Sequence, residues 1–394
     1  MNRIILIGCT LLLVSACRSG KNMASHESIK RMVTSVKQEY APDKRVAIFK
    51  VEASGKKNNV ILKGETNLPE AKTKLIQALQ EQNVSFQDSI HMLPAPIIGD
   101  KTYGVVSISV ANIRSEPEHS SELATQAILG TPLKVLNKVG YWYQVQTPDD
   151  YISWVDEGGI QLMNKQEFTA WQNTEKLIYL NLYGVSFTEP TLQGQPVSDL
   201  VSGNVLQLKE ETGDYYKIGY PDGREGYIPK SAAKPYASWV ASIQASENSL
   251  VSTAKQLMGI PYLWGGTSLK GVDCSGFTKT VYFLNGMVLP RDASQQVHTG
   301  DAIDTSHGFE QLKPGDLLFF GKPATSNSSE KVIHVGMWIG NNEFIHSSGK
   351  VRISSIDKNA SNFDESNTKR FLRAKRILNT TNGDILHLQS AKLY

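Results

Sequence analysis

The sequence predicts a multidomain α+β chain of 394 residues. A small α+β module and two small β-barrels precede a larger α+β domain built around one cysteine. Three observations predict this: a strand-like segment repeated at constant offset, a helix signature opening on Cys274, and later strand signatures carrying histidines. The length suits two to four domains, and 40% hydrophobic residues is a globular composition. A net charge of +3 is too small a surplus for a nucleic-acid binder. There is no phosphate-cradling glycine loop and no cysteine-rich metal spacing, so neither a cofactor nor a metal is expected.

The chain opens on a basic start, Met1-Asn2-Arg3, followed by an apolar run from Ile4 to Val14, which is signal-peptide length and too short to span a bilayer. It ends in Val14-Ser15-Ala16-Cys17, which resembles a bacterial lipobox with Cys17 as the lipidated residue. An ordinary secretory signal cut nearby is the alternative. Residues 1–17 are thus expected to be a lipoprotein signal peptide and 18–28 a polar tether. The protein is expected to be exported and held at a membrane of the bacterial cell envelope by this lipid alone. Cys9 would leave with the signal, so Cys274 is the one thiol left in the mature chain. Exported proteins usually pair their cysteines, and an unpartnered one is a candidate nucleophile, the alternative being a buried small hydrophobe.

Residues 29–100 read as helix, strand, strand, helix, strand. Strands are expected at Arg45 to Val51 and Asn59 to Lys63, and Ala71, Leu75, Ile76 and Leu79 recur at helical spacing within Pro69 to Gln82. A solvated spacer is the expected role. Two aromatic, β-rich segments follow, at 101–165 and 176–236. Tyr141 to Val145, Pro148-Asp149 and Trp154-Val155 recur as Asp214 to Ile218, Pro221-Asp222 and Tyr227-Ile228, always 73 residues on.

The texture changes over 246–380. Leu250 to Leu257 is helical, and Gly259 to Gly266 breaks it. Asp273 is a good N-cap for a second helix whose apolar face is Phe277, Val281 and Leu284 and whose stop is Asn285-Gly286. Strands are expected at Leu317 to Phe320, Val332 to Ile339, Glu343 to His346 and Arg370 to Leu378.

A thiolate is the attacking species, so the site should lower the Cys274 pKa through the partial positive charge of the helix N-terminus and a neighbouring imidazole. His334 is the candidate base and His346 the residue that orients it. To cooperate they must share one face of a hairpin. A two-residue turn at Asn341-Asn342 would put His346 opposite Met337, on the wrong face. A three-residue loop over Gly340 to Asn342 would set it opposite Gly336, so the odd-length loop is expected, with Asn or Gly in left-handed geometry.

Cysteine on a helix first and histidines on antiparallel strands afterwards is the layout of a papain-like cysteine hydrolase. Tyr262-Leu263-Trp264-Gly265-Gly266, Asp273 to Phe277, Pro314 to Phe320, His334 to Gly340 and Phe344 to His346 together resemble the NlpC/P60 family of cell-wall peptidases. Val110 to Pro117 resembles the opening of a bacterial SH3-like (SH3b) barrel, and the two-barrel arrangement is similar to YkfC-like γ-D-glutamyl-L-diamino acid endopeptidases. The resemblance implies Cys274 as nucleophile, His334 as base, His346 as third polar residue, and Tyr262 as a site-lining residue assisting the oxyanion. It implies a murein stem peptide with a free N-terminal L-Ala as substrate, L-Ala-γ-D-Glu-diamino acid; a monomer is expected. Asp273 is the expected ligand of the free ammonium, with Ser275 beside it and Glu122 and Tyr151 contributed by the first barrel. Asp292, in Arg291-Asp292, is a further candidate, although Ala293 stands where some relatives have Ser. Three alternatives remain: a non-catalytic wall-binding lipoprotein, a muramoyl-alanine amidase or transpeptidase on the same scaffold, and a metallohydrolase using the two histidines.

Overall fold

The computed structural model describes residues 26–394 except 57, 58, 381 and 384, so the signal segment and Cys17 lie outside the described residues. The chain divides into two compact units: residues up to 40 with 49–91, and residues 41–48 with 92–394.

In the first unit, helix His26–Tyr40 buries Ile29, Val33 and Val36, one stripe at i, i+4 and i+7. It packs on helix Pro69–Glu81, which has proline in its first turn and buries Ala71, Leu75 and Leu79. Strands Phe49–Lys56, Asn59–Thr66 and Phe86–Met92 complete a three-stranded sheet. The expected order of elements holds, but the first strand starts at Phe49 rather than Arg45. Residues 41–48 belong instead to the larger unit, where Ile48 packs with Leu93, Leu136 and Ile152.

The larger unit opens with two seven-stranded sheets. The first runs from strand Tyr103–Val106 to Ile160–Met163, the second from Lys176–Tyr179 to Ala233–Pro235. The 73-residue offset carries strand Trp142–Gln146 onto Tyr215–Gly219 and Ile152–Asp156 onto Glu225–Pro229. The pairing Tyr143↔Val155 likewise becomes Tyr216↔Ile228. Helix Lys165–Gln172 links the sheets and starts at a capping box between Asn164 and Glu167.

The C-terminal part packs helices Glu247–Gln256 and Cys274–Leu284 on a six-stranded antiparallel sheet. Its strand order is Asp301–Ile303, Phe371–Arg376, Leu317–Lys322, Lys331–Gly340, Glu343–Ser348, Lys350–Ser355. Leu317, Phe319, Val335, Met337 and Ile345 share one core with Phe277 and Val281 of the cysteine helix. Alternate residues Leu318, Phe320, Trp338 and Phe344 form a second core. The domain does not end near 380. Strand Leu386–His387 pairs with Met287–Val288, and Leu388 and Tyr394 pack against the helix Tyr236–Ser242. Among the described residues, no helix is long and apolar enough to cross a membrane.

Candidate active site

Cys274 is the first residue of its helix, and Asp273 caps it by accepting the Gly276 N–H at 2.7 Å on Oδ1. Only glycine fits at 276, because a Cβ would lie 1.9 Å from the Gly266 carbonyl oxygen. Cys274 packs in one core with Val335, which sets it against the strand carrying His334. The Tyr262 phenol is pushed up to about 12, first by burial and then by the neighbouring Cys274 and Asp273.

The two histidines come together. His334 Nε2 lies 2.8 Å from His346 Nδ1, and both rings contact the face that Phe320 and Phe344 present. The register that achieves this has Met337 opposite Ile345 and Trp338 opposite Phe344, as the shared-face argument requires. The turn differs from the expected three-residue loop. Asn341 and Asn342, at φ 53° and 59°, form a two-residue turn closed by Gly340↔Glu343. A bulge between Trp338 and Gly340 supplies the one-residue shift.

Two residues absent from the sequence reading complete this arm. His346 Nε2 lies 3.0 Å from Ser354 Oγ, on the neighbouring strand, and 3.9 Å from Asp364 Oδ2. Burial acts against ionisation of Asp364, but hydrogen bonds from Asn367 outweigh it and hold the carboxyl below its ordinary range. A hydrogen on His346 Nε2, donated to Ser354, leaves Nδ1 to accept from His334 Nε2–H. That tautomer leaves the His334 Nδ1 lone pair for a thiol proton.

The electrostatics differ from the expected lowered thiol pKa. Burial, and next the Asp273 charge, push Cys274 up to about 11. Burial, and next His346, bring His334 down to about 3, and burial brings His346 down to about 4 although Asp364 opposes it. Burial thus favours a protonated thiol and neutral imidazoles, the desolvation cost outweighing the helix N-terminus.

Asp273 is not a free carboxylate waiting for an ammonium. Arg291, fully buried, grips it through Nη2 at 2.6 Å and Nη1 at 3.2 Å. The Gly265 N–H donates to Oδ2 at 3.0 Å, and Ser275 Oγ lies 3.3 Å from Oδ1. Asp273 therefore builds the site by holding Arg291 and the glycine loop. Arg291 also donates to Ser275 Oγ at 3.0 Å and to Thr125 Oγ1 of the first barrel at 3.1 Å.

The first barrel forms one wall. Gln126 receives the Thr267 N–H at 3.0 Å and the Ser268 hydroxyl at 2.9 Å, both on Oε1. Gly265, at φ +79°, lies so close that a Cβ would be 2.1 Å from the Leu123 carbonyl oxygen. Glu122 accepts the exposed Trp264 indole N–H at 2.5 Å, a contact the sequence reading did not foresee. Tyr151 donates to Asp292 Oδ2 at 3.3 Å, and burial, then the Asp292 charge, raises its pKa. Asp292 in turn stands 3.8 Å from Arg291, so Asp273, Ser275, Arg291, Asp292 and Tyr151 form one connected group beside the nucleophile.

Comparison with known proteins agrees with this architecture. Residues 259–370 match the NlpC/P60 family, 113–160 the bacterial dipeptidyl-peptidase SH3 domain and 179–233 the bacterial SH3 domain. The γ-D-glutamyl-L-lysine dipeptidyl-peptidase of Bacillus cereus is 32% identical over 237 residues, covering 58% of this chain and 68% of that protein. Dipeptidyl-peptidase 6 of Lysinibacillus sphaericus is 26% identical, covering 64% of this chain and 92% of that protein. A crystal structure of an NlpC/P60 family protein from Bacillus cereus shares the fold, with a TM-score of 0.59 and 24% identity over 70% of this chain and 99% of that one. With two SH3 domains ahead of a helix-borne cysteine and a strand-borne histidine pair, the chain belongs to the NlpC/P60 family of cysteine peptidases.

Proposed function

We propose that the protein hydrolyses cell-wall stem peptides at the γ-D-glutamyl-L-diamino acid bond, releasing L-Ala-D-Glu from peptides whose L-Ala amine is free. The relatives named for γ-D-glutamyl-L-lysine dipeptidyl-peptidase activity support the bond. The single observation that carries the substrate end is the barrel wall. Strand Leu123–Ile128, joined to Thr267, Ser268 and Arg291, stands at the end of the site that Asp273 and Arg291 build, which supports reading that end as the place where a free peptide terminus stops. A glycan-linked stem, whose L-Ala nitrogen is acylated, is then excluded. Since Asp273 is occupied, we assign the ammonium to Asp292, with Tyr151 beside it and Glu122 at the Trp264 rim.

In this reading Cys274 Sγ attacks the D-Glu γ-carbonyl carbon while its proton passes to His334 Nδ1. A neutral base beside a protonated thiol suits transfer concerted with attack. The Cys274 backbone N–H, with Tyr262, faces the oxyanion. His334 next gives the proton to the departing diamino acid nitrogen, leaving a thioester. Water then attacks the thioester, its proton going to His334 and on to the released sulfur.

The test is mass-spectrometric digestion of L-Ala-γ-D-Glu-meso-diaminopimelate, with Cys274→Ala alongside. Release of L-Ala-D-Glu by the parent alone supports bond and nucleophile together; a bound but uncut peptide would move the reading to a binding module. We further infer an exported lipoprotein anchored through Cys17, acting as a monomer. Palmitate incorporation lost in Cys17→Ala, and light scattering at the mass of one chain, are the expected results.

A further inference from the structure

Residues 41–48 lie along the first barrel, where the Ile152 N–H donates to the Arg45 carbonyl at 2.6 Å. From there the Arg45 side chain crosses to Asp292, with Nη1 2.6 Å from Oδ2 and 3.0 Å from Ser294 Oγ. This is the carboxylate oxygen that Tyr151 also reaches. The opposite edge of the guanidinium is held by Asp43, with Nε to Oδ1 at 2.8 Å and Nη2 to Oδ2 at 2.7 Å. Asp43 is itself fixed by Gln295 Nε2 at 2.9 Å, and Asp43, Arg45, Ser294 and Gln295 line an open groove of about 1100 Å³.

The charge balance of this cluster decides what it can do. Asp43 offsets Arg45, so the trio Asp43, Arg45 and Asp292 keeps the negative charge of one carboxylate. The planar guanidinium fork binds both carboxylates at once and orients Asp292 without neutralising it. Asp292 Oδ1 stands 3.8 Å from Arg291 Nη1, beyond hydrogen-bond reach. The carboxylate has about four acceptor sites, so beside Arg45, Tyr151 and the capping-box N–H of Gln295 it can take a further donor. Without Arg45, a small rotation would close Asp292 onto Arg291 and quench that charge.

We propose that Arg45 is a positioning residue for recognition of the substrate ammonium, holding Asp292 off Arg291 while Asp43 cancels the positive charge Arg45 brings. This rests on the reading of a free-amine substrate. The segment lies outside all three matched family regions, so the specificity of the catalytic domain is completed by residues that precede the barrels.

The experiment compares kcat/KM for L-Ala-γ-D-Glu-diaminopimelate with that for its N-acetyl form, in the parent, Arg45→Ala, Arg45→Lys and Asp43→Asn. Loss of one charge-assisted contact predicts a fall of about tenfold in the free-over-acetyl ratio for Arg45→Ala, seen chiefly as a rise in KM. Arg45→Lys restores part of it, and Asp43→Asn, which leaves the cation unbalanced, lowers it as well. A merely structural role would lower both substrates equally and leave the ratio intact, which overturns the proposal. A parent that does not discriminate the two peptides would instead overturn the free-amine reading.

Discussion

The neutral histidine pair makes the stability of the fold depend on pH in a way that can be worked out. His334 and His346 are 7% and 0% exposed, and burial lowers their pKa to about 3 and about 4. In the unfolded chain each returns to about 6.5. Between pH 6.5 and 4 the unfolded state therefore binds more protons than the folded one, and stability falls as pH falls. From pH 7 to pH 5 the loss is about 2 kcal/mol per imidazole, about 4 kcal/mol for the pair. Urea unfolding followed by tryptophan fluorescence at both pH values, on the parent and on His346→Asn, measures it. The variant should lose about 2 kcal/mol less than the parent over this interval. Because both imidazoles stay neutral in the folded site, kcat/KM should hold down to about pH 5, with no acid limb near 6.5. Equal pH dependence in parent and variant, or a limb centred near 6.5, would refute the buried neutral pair.

Three further outcomes are expected. Ser354→Ala removes the acceptor that sets the His346 tautomer, and kcat should fall three- to tenfold with KM little changed, measured by peptide release. Asp149 pairs with Lys279 of the cysteine helix at 2.6 Å, both side chains being largely buried, so Asp149→Ala should cost about 3 to 5 kcal/mol in urea unfolding. Asp149→Leu combined with Lys279→Met should recover most of that loss, since no unpaired charge is left inside. Gly265→Ala would force a Cβ against the Leu123 carbonyl at a positive φ, and should lower kcat/KM by an order of magnitude or more as the barrel wall shifts.

Much of the architecture was legible because it is written in neighbouring residues. The 73-residue offset carried strand pairs faithfully because aromatic alternation and Pro-Asp turns act within a hairpin. The Asp273 cap and the Asn285-Gly286 stop bounded the cysteine helix at both ends. The hairpin register was legible for a similar reason, since only one parity puts two imidazoles on one face. How the chain reached that parity was not, because a bulge at one strand end leaves no mark that distinguishes it from a longer loop.

The roles of the carboxylates were hidden for a different reason. Asp273 reads as a free anion beside a nucleophile until Arg291 is seen gripping it, and Asp292 reads as secondary until Arg45 and Tyr151 converge on it. Ser354 and Asp364 lie on later elements, which only sheet pairing and the helix cap bring to His346. Sequence by itself determined the order of the domains, the nucleophile-bearing helix and the histidine hairpin, because periodicity, capping and turn chemistry are short-range. Tertiary structure alone decided which charges are balanced and which protons stay bound. Those depend on burial and on partners as far away as Arg45 is from Asp292, and desolvation is a property of the surroundings that no local stretch of residues contains.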